Sequence, residues 1–137
     1  MKNEFVSYEI ALALKELGFN EPCMAIYYSK DKSFSWHHHK DHTNDEPALD
    51  SGEFNISATT YSAAFRWFRE KYFLHSYISC SCTVNEILSY DWVIHKVMNN
   101  GTREENFITD YEQTYEAAEL ECLKKLIEIV KAKNETT

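Results

Sequence analysis

The chain has 137 residues, is 44% hydrophobic and 15% aromatic, and carries a formal charge of −8. That length and aromatic load describe one folded domain with a substantial core and exclude a disordered chain. The acid excess repels nucleic-acid phosphate, and no run approaches the ~18 apolar residues of a membrane span, so neither nucleic acid nor a membrane is an expected partner.

Residues 7–17 read as a helix. Ser7 stands at the capping position, Gly18 follows the last turn, and Val6, Ile10, Ala13, Leu14 and Leu17 share one face. CMAIYYS (23–29) and FSWHHH (34–39), separated by a polar turn, read as a β-hairpin. Residues 40–53 hold Pro47, Gly52 and a cluster of acids and read as a loop, with a short strand over 53–57 leading out of it. A threonine-capped helix over 59–73 carries the stripe Tyr61, Ala64, Phe65, Phe68 and Tyr72, with Trp67 about 120° off it at ~100° per residue.

LHSYISCSC (74–82) and SYDWVIHKVM (89–98) read as a second strand pair, and NNGTREEN as a turn. A long helix then runs to about residue 131, starting near Thr109, which with Glu112 would form a capping box, or near Thr114. Its stripe of Tyr111, Tyr115, Ala118, Cys122, Leu126 and Ile129 is widened by Leu123, Ile127 and Val130. A stripe that broad either crosses a sheet or meets a second surface.

The order α-β-β-(β)-α-β-β-α predicts an α+β fold: an antiparallel sheet of about four to five strands with helices packed on one face. The reading makes residues 1–131 a single domain and 132–137 a frayed tail. The N-terminal MKNEFVSYEIALALKELGF is too charged for a secretion signal, and Cys23, Cys80, Cys82 and Cys122 form no CxxC pair. A cytoplasmic protein with reduced thiols is therefore expected.

Three segments, EIALALKELGFNEPCMAIYY, TYSAAFRWFREKYFLHSYI and TYEAAELECLKKLIEIVK, resemble blocks of a family of small uncharacterised proteins of gut Bacteroidetes, their phages and mobile elements. They cover about half of the chain, in the same order. The resemblance implies a cytoplasmic α+β domain of phage or mobile-element origin. It brings no known activity and no catalytic residues, and the histidine run is not part of it.

The run SWHHHKDH (35–42) holds four of the six histidines. On a strand, His37 and His39 share a face, and with Asp41 or His42 they are the candidate ligands for a late transition metal. The blander reading is a solvated strand end that takes up zinc or nickel adventitiously. Cys80 and Cys82 alternate on one strand and read as buried, with a zinc site involving His75 or His95 as the alternative. No GxSxG, HExxH, P-loop or GxGxxG occurs, so the reading leans away from an enzyme.

Trp67 beside Arg66 is the candidate exposed interface pair, and Leu123 with Ile127 the candidate homodimer surface. The leading expectation is a non-enzymatic phage or mobile-element accessory factor that works by contact with an unknown protein partner. One alternative is a metal-binding protein or metal-dependent enzyme built on residues 37–42. Another is an acidic immunity or anti-defence protein.

Overall fold

The structure, a computed structural model, describes residues 2–37, 40–82, 88–98, 100–108 and 111–136. The fold is α+β, and the chain divides into two compact units, residues 1–63 and 64–137.

The first unit opens with a 3-10 turn, Lys2–Glu4, followed by helix α1, Tyr8–Glu16. The Ser7 hydroxyl accepts from the Ile10 amide and satisfies one of the free donors of the first turn. Gly18 takes φ +93° and lets the chain reverse, so that the Phe19 amide reaches back to the Leu14 carbonyl. Strands β1 (Ala25–Tyr28), β2 (Phe34–Trp36) and β3 (Asn55–Ser57) form an antiparallel sheet in the order β2-β1-β3. Helix α1 packs against β3. Val6, Leu14, Phe19, Ile26 and Ile56 are almost fully buried, and each large side chain of this kind contributes about 1.5–3 kcal/mol. The buried Tyr27 hydroxyl donates to the Val6 carbonyl at 2.6 Å, which keeps its polar end satisfied.

Helix α2, Tyr61–Tyr72, begins where the Thr60 hydroxyl accepts from the Ala63 amide. Its buried residues are Ala64, Trp67 and Phe68. Phe73, at φ +57°, makes the abrupt turn from α2 into β4.

In the second unit β4 (Leu74–Cys82), β5 (Leu88–Val97) and β6 (Arg103–Ile108) form an antiparallel sheet in that order. Helix α3, Tyr115–Glu135, packs on β5 and β4 and buries Ala118, Cys122, Leu123, Leu126, Ile127 and Val130. Thr114 caps it, accepting from the Ala117 amide.

Several expectations change. The single sheet of four to five strands is two three-stranded antiparallel sheets. Among the described residues β1 pairs with β2 and β3, and the β4–β5 pair belongs to a separate sheet with β6. The expected turn NNGTREEN contains the start of β6, whose backbone pairs with β5 despite its charged sequence. Strand β2 stops at Trp36, so the alternation that was to put His37 and His39 on one strand face ends before either.

Residues 111–113 precede α3, with Glu112 in a bridge to Tyr90, while Thr109 lies outside the described residues. Helix α3 continues through residues 132–135, part of the stretch expected to fray. Among the described residues no helix is long and apolar enough to cross a membrane.

Candidate functional site

The histidine run converges only in part. His42 leaves the loop, turns inward and forms an isolated bridge with Cys23, each amide donating to the other's carbonyl at 2.8–2.9 Å. Its ring is 2% exposed. Nδ1 lies 2.8 Å from the hydroxyl of Ser57, which is 1% exposed, and Nε2 lies 3.7 Å from Glu46 Oε2. The Ser57 hydroxyl can also donate to the His42 carbonyl at 3.3 Å. Asn44 completes the seam: its side chain donates to the Phe19 carbonyl and accepts from the Ser57 amide. Residues 42–44 are thereby sewn into the first sheet, although the sequence pattern made them part of a loose loop.

His37 is half-buried, its ring 5.7 Å from that of His42, and its Nδ1 is engaged by the Lys40 carbonyl. Asp41 is exposed, and His39 lies outside the described residues. Among the described residues no three His, Cys, Asp or Glu side chains stand close enough to share a metal ion. The Nδ1 atoms of His37 and His42 each serve a hydrogen bond within the fold.

Serine, histidine and glutamate in sequence of contact suggest a hydrolytic triad. The geometry does not supply one: the serine and the imidazole are both closed off from solvent, and 3.7 Å is too long for a hydrogen bond that would orient the ring. Burial holds the imidazole's pKa below its usual value, against the opposing pull of Glu46. Burial also pushes the Cys23 thiol up to about 11 and that of Cys122 to about 12, so neither is a thiolate nucleophile near neutrality.

Cys80 and Cys82 are exposed, contrary to the buried reading. They lie at the far end of β4, paired with Tyr90 and with Leu88, itself exposed. His75 and His95 pair with each other, and the alternation along β4 puts them on the opposite sheet face from both cysteines. That register separates the cysteines from the histidines of the alternative zinc set.

Arg66 is exposed, but Trp67 is only 6% exposed and meets Phe68 and Tyr72 edge-on, with Lys71 over its ring. It belongs to the core because Ala64, Trp67 and Phe68 follow i, i+3, i+4 spacing as well as the expected stripe does. Leu123 and Ile127 are likewise buried within the single chain. The extra width of α3 is used against its own sheet, which removes the reason for expecting a homodimer there.

The second unit presents a groove of about 370 Å³ that the sequence reading missed. Its floor is apolar, with Leu74 from β4, Phe107 from β6, and Ile129 and Val130 from α3. Among the described residues Lys96, Lys125, Lys133 and Glu128 also line it. Lys125 pairs with Glu128 at 2.9 Å and lies 5.5 Å from the centre of the Phe107 ring. These residues come from four elements far apart in sequence, so no local spacing announces them. No family model, curated protein or solved structure matches the chain.

Proposed function

We propose that this protein acts by binding rather than by catalysis, and that the groove of the second unit is where it binds. One observation carries the reading: an apolar floor of Leu74, Phe107, Ile129 and Val130 bordered by three lysines, in a chain whose net charge is −8. Its volume is within the roughly 300–1,000 Å³ of small-ligand sites. The setting proposed with it is that of the resembled family, in which the protein is a cytoplasmic phage or mobile-element accessory factor.

Titration with anilinonaphthalene sulfonate, whose fluorescence rises in apolar surroundings, tests the reading. One saturable site is expected. Ala132→Trp, which fills the groove from an exposed helix position, should abolish it while circular dichroism stays unchanged. Equal binding by the variant would overturn the assignment.

A second reading, contact with a basic protein partner as an immunity or anti-defence factor would make it, has its own observation. The turn closed by the Gly52 amide on the Leu49 carbonyl holds Leu49 out at 55% exposure beside the exposed Asp50. An apolar side chain displayed among carboxylates suits a basic surface with a shallow apolar pocket. The test is binding of a lysine- and leucine-containing peptide, with Leu49→Ala and Asp50→Lys each expected to weaken it.

A further inference from the structure

We infer that Cys80 and Cys82 form a two-thiol site for a soft monovalent metal ion of the copper(I) class, at the far end of β4 and independent of the groove. Alternation along β4 puts both cysteines on the sheet face that also carries Ser76, which is hydrogen-bonded to the Cys122 thiol of α3. That face is therefore the one α3 packs on. The helix begins only at Tyr115, whose ring meets that of Tyr90, the cross-strand partner of Cys80, edge-on with centres 5.9 Å apart. Cys80 and Cys82 thus sit on the core-facing side of the strand, yet both are exposed.

Their spacing selects a bridging atom over a direct bond. Two residues apart on a strand, the Cβ atoms are about 6.7 Å from each other. A disulfide needs about 3.5–4.5 Å, so joining the sulfurs directly would buckle β4. A metal ion between them replaces one sulfur–sulfur bond of about 2 Å by two metal–sulfur bonds of roughly 2.3 Å, which spans the wider gap. Thiolates select soft ions. Zinc takes four ligands, whereas copper(I) is satisfied by two thiolates in line, and among the described residues no third His, Cys, Asp or Glu joins the pair. The exposed Leu88, opposite Cys82, lays an apolar side chain beside the sulfurs, which suits a soft ion over a hydrated hard one. Binding breaks two S–H bonds, forms two S–Cu bonds and releases two protons.

The test is anaerobic titration of the full reduced chain with copper(I) held by bicinchoninate, a coloured competing chelator. One copper(I) per chain is expected to leave the chelator, with a thiolate-to-copper charge-transfer band in the ultraviolet. Cys80→Ser and Cys82→Ser should each weaken binding roughly tenfold or more, with circular dichroism unchanged. Ser81→Cys with Cys82→Ser keeps the number of thiols but turns one to the other face, and should weaken binding as much as Cys82→Ser alone. Undiminished binding in that variant or in either single variant would overturn the inference. So would no transfer from the chelator, one copper shared between two chains, or zinc bound more tightly than copper(I).

Discussion

The Nδ1 of His42 sits 2.8 Å from the hydroxyl of Ser57, and neither residue exposes more than 2% of its surface. This pair joins the end of the histidine run to β3, and it makes position 42 a structural position. Ser57→Ala removes the partner and leaves a buried ring nitrogen unsatisfied, which costs roughly 1–3 kcal/mol. Urea unfolding should show that loss as a lower midpoint with an unchanged slope, and an unaltered midpoint would contradict the role given to the pair.

The same ring sets a pH dependence. Desolvation lowers the folded-state pKa of His42 below 6.5, and Glu46 only partly offsets it, while His37, Lys15 and Lys40 add to the lowering. In the unfolded chain the imidazole gains a proton near 6.5, so there the unfolded state binds more protons than the folded one. The contribution is complete above pH 6.5 and declines as the pH falls through that value toward the lowered folded pKa. Unfolding free energies measured across this window should fall toward acid, and His42→Gln should flatten that part of the profile. A slope identical in the variant would remove His42 as its source.

Thiol reactivity separates the four cysteines. Cys80 and Cys82 are exposed, whereas Cys23 and Cys122 are buried with raised pKa values. A thiol reagent should label the first pair rapidly in the native protein and the second pair only on unfolding. Peptide mapping that found Cys122 labelled as fast as Cys80 would contradict the packing of α3 on its sheet.

The turn between β1 and β2 holds Lys32 at φ +59°, a conformation that costs a side-chain-bearing residue about 1 kcal/mol. Lys32 is exposed, and the interaction it would lose is the approach of its ammonium to the Tyr8 ring, 5.2 Å from the centre. Lys32→Gly is therefore expected to raise the melting temperature slightly. A fall would show that the contact with Tyr8 outweighs the backbone relief.

Elements set by local physics are legible in the sequence. The Ser7 cap, the Gly18 reversal and the bounds of β4 follow from neighbouring residues. What depends on distant partners was not legible. Alternation reveals a strand but not its neighbour, so two sheets were read as one. The stretch REENFI has no apolar alternation and becomes β6 through backbone pairing with β5. Among the described residues the buried imidazole is that of His42, held by a serine 15 positions away that no local spacing points to. The lysines of the groove lie at 96, 125 and 133, and only the packing of α3 over the second sheet collects them.

The most direct measurement for the central claim is an amide chemical-shift map of the full chain titrated with anilinonaphthalene sulfonate. The account predicts perturbations concentrated at residues 72–74, 96, 107 and 125–133, saturating together. Shifts confined to residues 40–53, or spread evenly over both units, would contradict binding at the groove.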